Sequence, residues 1–274
     1  MFIEALETGS VTLALLENRK SILEMLTRFR RRILHGTWRV PVFGAGGTGK
    51  TTMGTFLAGE FSTDVCLSGY RESIASSNLS LPGNIPCKIL VPPGQERRRD
   101  YSWPELYRLL ASGKASGVLN VVSWGCHSTE IEYSAHLVHR VGISELQYQQ
   151  DYLQLNREEE IKALKQIAPH LIAAKKKIWM ITLVTKQDLW WNERHTVQHY
   201  YEGGEYAHLI DEVARAKGAE NFMHNYFSVS IIPQNLVTKD GRTIVQTAAG
   251  YDQLLRLANL NSFVKGLNEL LRGM

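Results

Sequence analysis

A mostly parallel α/β sheet, covered by helices on both faces, is the fold class this sequence predicts. Two observations carry it. Short apolar runs recur along the chain, the clearest over residues 178–184, and stretches of helical periodicity separate them. Strands buried on both faces show continuous apolar runs, and alternation of such strands with helices is the signature of a parallel sheet.

In chain order, Leu15, Ile22, Leu26, Phe29 and Ile33 recur at helical spacing and predict an amphipathic extension over residues 1–36, with Thr8 or Ser10 as caps and Gly36 as a stop. Its basic last turns, Arg28 and Arg30 to Arg32, suit the negative end of a helix dipole; an anionic surface or a partner is the other use open to them. Residues 37–274 then form the main domain. It opens with the apolar run Val40-Pro41-Val42-Phe43, a glycine-rich segment and a helix from about Thr52. Residues 61–86 are rich in Ser, Gly and Asn and predict a long loop or a loop with an edge strand. Short strands follow at 88–91 and 117–122. An insertion is expected around 124–165, with a Gln- and Tyr-rich surface element at 146–156 and a helix near 157–174 bent or interrupted by Pro169. Beyond the 178–184 strand come a helix around 206–216, a strand at 226–230 and a hairpin turn at Lys239-Asp240-Gly241-Arg242. A final helix carries Leu260, Phe263, Val264, Leu267, Leu270 and Leu271.

With 274 residues, 44% hydrophobic and 21% charged, the chain has material for one large domain with additions. A formal charge of +4 suits phosphate ligands but is too small and too dispersed for a nucleic-acid binder. Three widely spaced cysteines, Cys66, Cys87 and Cys126, imply neither a disulfide framework nor a zinc site. No apolar run approaches the ~18 residues of a membrane span, and the acidic start lacks a secretory pattern, so a cytoplasmic protein without a transmembrane segment is expected. His136 and His139 stand three apart with no matching carboxylate or cysteine cluster and are expected to be ordinary surface residues.

Gly44-Ala45-Gly46-Gly47-Thr48-Gly49-Lys50-Thr51 is a complete phosphate-binding loop between a strand and a helix. Its glycines let successive backbone N–H groups turn inward onto phosphate oxygens, and Lys50 supplies a point charge to the β and γ phosphates. The helix beginning near Thr52 adds its positive dipole end, and the Thr51 hydroxyl is placed for Mg2+. The fold class is thereby narrowed to a phosphate-loop three-layer sandwich with an N-terminal helix and insertions.

Three further segments make the chain resemble the Ras-like small GTPases and their relatives. Val91-Pro92-Pro93-Gly94-Gln95-Glu96 is similar to the switch II pattern Asp-x-x-Gly-Gln-Glu, Thr185-Lys186-Gln187-Asp188 to the guanine-specificity pattern Asn-Lys-x-Asp, and Ser228-Val229-Ser230 to the base-contacting Ser-Ala-Lys loop. The resemblance implies GTP or GDP as ligand with Mg2+, and slow hydrolysis with Gln95 as the catalytic residue that orients water. The nucleotide-binding set is Gly44, Gly46, Gly47, Thr48, Gly49, Lys50, Thr51, Thr52, Thr185, Lys186, Asp188 and Ser230, with Thr51 also the metal ligand. Chemistry supports the base assignment independently, because a carboxylate accepts from both the ring N–H and the exocyclic amine of guanine, a donor pair adenine lacks. Lys186 is expected to lay its stem along the base plane.

Two departures matter. Thr185 replaces the usual Asn and keeps a hydroxyl. Val91 stands where the pattern has the Asp that holds Mg2+ through water, leaving Thr51, phosphates, water and one hydroxyl among Thr63, Ser68 and Ser73. Arg97, Arg98 and Arg99 read as a solvated helix start, with a phosphate contact the alternative; Trp190 and Trp191 read as buried against a neighbouring helix, with shielding of the base or facing a partner the alternatives. Besides a switch, the sequence admits a non-hydrolysing interaction module and an ATPase or kinase, though no strand here ends in Asp-Glu. An effector or regulatory protein is the expected partner, with the N-terminal helix as one route to a complex.

Overall fold

Period-two alternation along the strands sends one set of side chains to each face of a central sheet. The computed structural model describes residues 39–58, 77–80, 88–115, 117–128, 142, 144–238 and 241–272. The expected N-terminal helix, Thr63, Ser68, Ser73, His136, His139 and residues 239 and 240 of the expected hairpin turn lie outside the described residues.

The elements are β1 (Val42–Phe43), α1 (Lys50–Ala58), β2 (Ser77–Ser80), β3 (Lys88–Val91), α2 (Glu96–Ser102), α3 (Pro104–Ala111), β4 (Gly117–Val122), α4 (Glu145–Ile172), β5 (Ile178–Val184), α5 (Gln187–Trp190), α6 (Arg194–Gly203), α7 (Glu205–Lys217), β6 (Phe222–Ser228), β7 (Leu236–Val237), β8 (Thr243–Val245) and α8 (Gln253–Arg272). The strands β1-β4-β5-β6 form a parallel sheet in that order. β2 pairs antiparallel with β3, which packs beside β1. β2 is thus the edge strand anticipated in the 61–86 segment.

On one face Phe43, Leu90, Val118, Val122, Met180 and Val184 meet α3, α4, α6 and α7. On the other, Val42, Val91, Leu119, Val121, Ile181 and Leu183 meet α1 and α8. These are the three layers the sequence predicts. Because the strands are parallel, their carboxyl ends share one edge, and the loops leaving β1, β4 and β5 converge there.

The 146–156 segment is organised differently from its sequence expectation. Residues 146–156 are not a separate surface element; they are the first half of α4, one continuous 28-residue helix. Ser144 caps it through Gln147 N at 3.1 Å. Pro169 does not interrupt it. Lys165, whose carbonyl loses its partner to the proline, is exposed, so water replaces that bond. The 226–230 strand likewise begins earlier, at Phe222, where pairing with Ile178 starts the β5–β6 ladder.

Two polar side chains break the apolar pattern of the sheet. Asn120 and Thr182 are neighbours in register and both reach the Tyr206 hydroxyl, Asn120 from Nδ2 and Thr182 at 3.2 Å. Thr182 Oγ1 also lies 2.8 Å from Nε2 of His224, whose pKa burial pushes down to about 4. An unfolded histidine protonates near 6.5, so between pH 6.5 and 4 the unfolded chain takes up a proton that the folded one refuses. Stability attached to His224 is therefore present at neutral pH and lost on acidification. Urea titrations at pH 7 and 4.5 are expected to show wild type losing ~2 kcal/mol more than His224→Gln, and equal losses would mean that the imidazole protonates freely in the fold.

Candidate functional site

The phosphate loop spans the turn from β1 into α1, with Gly44, Gly47 and Gly49 at φ 139°, 75° and 94°. A Cβ at Gly47 would overlap the Ser128 carbonyl, so glycine is required both for the backbone angle and for the approach of the neighbouring loop. Thr48 Oγ1 donates to the Ala45 carbonyl at 3.1 Å, and Lys50 Nζ donates to the same oxygen at 2.5 Å. Lys50 is buried, and burial, with the Arg99 guanidinium nearby, pushes its pKa down to about 7. A phosphate oxygen offered to this group supplies the charge and the stronger acceptor that the carbonyl does not. Thr51 and Thr52 follow in the first turn of α1.

Gly94 and Gln95 close the far side. A Cβ on Gly94 would overlap both Lys50 Nζ and the Gly44 carbonyl oxygen, so any larger residue there displaces the 91–96 segment from the phosphate loop. Gln95 Cγ lies 3.2 Å from where a Gly46 Cβ would stand, which places the sequence-predicted catalytic glutamine against the phosphate loop. Arg99 is a correction to the expected solvated helix start. It is 2% exposed, donating from Nε to the Gly94 carbonyl at 2.9 Å and from Nη2 to Glu159 at 3.3 Å, with its guanidinium 5.5 Å from the Trp103 ring centroid.

Val91 is buried in the apolar cluster with Val42, Met53 and Val121 and offers no oxygen. Among the described residues no group of three His, Cys, Asp or Glu side chains is arranged to hold a metal. With the Thr48 hydroxyl donating to Ala45, a Mg2+ here would rest on the Thr51 hydroxyl that the motif assigns to it, on phosphate and on water, a shell this cation accepts.

At the end of β5, Thr185 is buried. Its hydroxyl donates to the Thr48 carbonyl at 2.6 Å, with the Val122 carbonyl at 3.0 Å, and so ties the end of β5 to the phosphate loop and β4. Lys186, in the left-handed region at φ 56°, directs all three ammonium protons to oxygens: Gly47 O at 2.9 Å, Cys126 O at 2.5 Å and Ser128 Oγ at 2.6 Å. Burial pushes its pKa down to about 8.

Asp188 is 1% exposed. Ser230 Oγ donates to its Oδ1 at 2.5 Å, and the Gln234 N–H donates to its Oδ2 at 3.0 Å. Burial raises its pKa, while those two bonds and Lys186 act the other way. Its own backbone N–H is a third donor to the carboxylate, whose lone pairs these three bonds do not exhaust. Of the Ser228-Val229-Ser230 segment, Ser230 serves Asp188; Ser228 Oγ accepts from Gln187 Nε2 at 2.8 Å. Trp190 is buried, with Nε1 donating to the Thr185 carbonyl at 2.8 Å. Trp191 meets Tyr251 edge to face at 5.7 Å.

Three contributors escape the sequence motifs: Arg99, Gln234, which acts through its backbone, and the loop of residues 123–128 leaving β4. Arg99 carries a signal in hindsight, since it stands at helical spacing from the buried Trp103, Leu106 and Leu110. The Gln234 contact carries none.

A strand order of β1-β4-β5-β6 with an antiparallel β2–β3 pair, a phosphate loop after β1 and a Thr-Lys-x-Asp segment after β5 define the class: a phosphate-loop α/β fold. No family model and no curated protein matches the chain. Among solved structures it is similar to an ADP-ribosylation-factor-like GTP-binding protein, the small COPII coat GTPase SAR1 from Encephalitozoon cuniculi in complex with GDP, at 13% identity over 97% of this chain and 95% of that one, with a TM-score of 0.38. It is also similar to the signal recognition particle receptor SRb-GTP/SRX complex from Chaetomium thermophilum, at 11% identity over 72% and 92% of the two chains, with a TM-score of 0.41. The class is carried by the chain's own sheet order and site.

Proposed function

We propose that this chain is a guanine-nucleotide-binding protein that hydrolyses GTP slowly and changes conformation with the state of the γ phosphate. One observation carries the reading: a buried carboxylate, Asp188, is oriented by Ser230 and Gln234 and locked through Thr185 and Lys186 to the phosphate loop. Triphosphate and base would thus be held by one connected frame. Loop amides and Lys50 neutralise phosphate charge, and Gln95 aligns the attacking water for in-line displacement. Mg2+, held by Thr51, phosphates and water, would spread the charge developing between the β and γ phosphates. Gly94, crowded against Lys50, is the point at which an added γ phosphate would be felt. Without an arginine from an activator, turnover on the order of 10⁻⁴ s⁻¹ is expected.

The second reading, a nucleotide-binding interaction module without hydrolysis, is favoured by a specific observation, the apolar burial of Val91. Calorimetry with GTP and ATP tests the base, and single-turnover hydrolysis by wild type and Gln95→Ala tests the chemistry. GTP preference with a rate at least tenfold lower in Gln95→Ala supports the first reading, by the scale of a missing positioning group. Intact GTP after prolonged incubation in both proteins supports the second. Preference for ATP removes both.

A further inference from the structure

The loop of residues 123–128 is held on one side by a stripe of α4 and touches the nucleotide site with the other. Tyr152, Asn156 and Glu160 recur every four residues and so share one face of the helix. Tyr152 donates from its hydroxyl to the His127 carbonyl at 2.6 Å, and Asn156 donates from Nδ2 to the Gly125 carbonyl at 2.9 Å. Glu160 is 0% exposed. Its Oε1 accepts from the Ser123 N–H at 2.8 Å and the Gly125 N–H at 3.3 Å and lies 3.0 Å from His127 Nε2; its Oε2 accepts from the Tyr201 hydroxyl at 2.5 Å.

The loop needs such support. Trp124 sits at φ 55°, a region that costs a bulky residue on the order of 1 kcal/mol or more unless its surroundings enforce it. Its N–H is held by the Tyr201 hydroxyl at 3.1 Å, and the Arg157 guanidinium lies 4.5 Å from its ring centroid. A fully buried carboxylate is a costly way to fill space, and an apolar side chain of similar volume would stabilise a purely structural contact as well. What the carboxylate adds is several acceptor sites converging on the backbone N–H groups of a strained turn.

The outer side of the same loop supplies three of the bonds that build the site: Ser128 N–H to Gly47 O at 2.9 Å, and Cys126 O and Ser128 Oγ to Lys186 Nζ. We propose that Glu160 is a positioning residue of the nucleotide site, setting Lys186 and the Gly47 end of the phosphate loop through residues 123–128. This rests on the nucleotide-binding reading above. It adds a determinant from α4, a helix that none of the phosphate or base motifs includes.

The test is a double-mutant cycle on the release rate of fluorescent GDP, in wild type, Glu160→Gln, Lys186→Met and the double variant, with Tyr201→Phe and Ser128→Ala alongside. Gln keeps one oxygen for the Ser123 and Gly125 amides but loses the charge that strengthens those bonds and turns an NH2 toward the Tyr201 hydroxyl, which donates to Oε2 in the wild type. Release is expected to rise roughly tenfold in Glu160→Gln and in Lys186→Met, but little further in the double variant, because both act through one lock. Ser128→Ala is expected to raise release roughly threefold; Tyr201→Phe, which frees the Trp124 N–H but leaves the Ser123 and Gly125 N–H groups on Glu160, is expected to raise it less than Glu160→Gln does. Multiplicative effects in the cycle, or unchanged release from Glu160→Gln despite a lower melting temperature, would reduce Glu160 to a stability role and overturn the proposal. If Glu160→Gln does not fold, Ser128→Ala decides: faster release sustains the proposal and unchanged release overturns it. Should wild type retain ADP and not GDP, the guanine reading fails alone, and the same cycle run with fluorescent ADP still judges Glu160. A wild type that binds no nucleotide removes both.

Discussion

Asp188→Asn is expected to weaken GTP binding by 100-fold or more and to make xanthosine triphosphate the better ligand. The carboxylate offers two acceptors to a ring N–H and an exocyclic amine, and each charge-assisted bond contributes ~1.5–3 kcal/mol. A carboxamide retains one acceptor and turns a donor toward the guanine amine. The local frame determines which way it turns. The Gln234 N–H, 3.0 Å from Oδ2, can only donate, so the amide oxygen must take that side. The NH2 then faces Ser230, whose hydroxyl rotates from donor to acceptor. Xanthine, with a carbonyl in place of the amine, accepts from that NH2. Calorimetric affinities for the two triphosphates, in wild type and variant, check the exchange. Undiminished GTP affinity would place the base elsewhere.

Lys50→Met is expected to separate binding from stability. Removing the cation should lower triphosphate affinity by 100-fold or more, corresponding to ~3 kcal/mol for deleting one partner of a buried, charge-assisted hydrogen bond. The nucleotide-free protein, in contrast, should melt at or above the wild-type temperature. The ammonium is buried beside Arg99 with one carbonyl as acceptor, and its pKa of about 7 records how poorly that environment holds a charge. A methionine of similar length fills the space without the desolvation cost. Nucleotide titration with thermal melts of the nucleotide-free forms checks both halves. A variant that binds weakly and also melts much lower would show that Lys50 is structural.

Much of this site is legible in the sequence because its chemistry is compressed into short segments. The phosphate loop needs glycines at fixed spacing, and β4 and β5 are buried on both faces and so form apolar runs, each broken by one polar residue, Asn120 and Thr182. Thr185 is recognisable as a departure, but its compensation is not, since the Thr48 and Val122 carbonyls that receive its hydroxyl come from distant segments. Glu160 is hidden by its neighbours. In the run Glu158-Glu159-Glu160 it looks like one of three solvated charges, yet it alone shares helical register with the buried Leu164, Ile167 and Leu171. The break expected at Pro169 comes from the general cost of a helical proline, which is small where the freed carbonyl faces water. Arg99 escapes for the same reason as Glu160: a charged residue within a charged run reveals its burial only through periodicity.

Glu159 and Glu160 are successive residues on one turn of α4. The first grips Arg99, which holds the Gly94 carbonyl; the second grips the amides of the loop that seats Lys186. Under the nucleotide-binding reading proposed above, opposite ends of a triphosphate nucleoside would therefore be braced from a single helical turn.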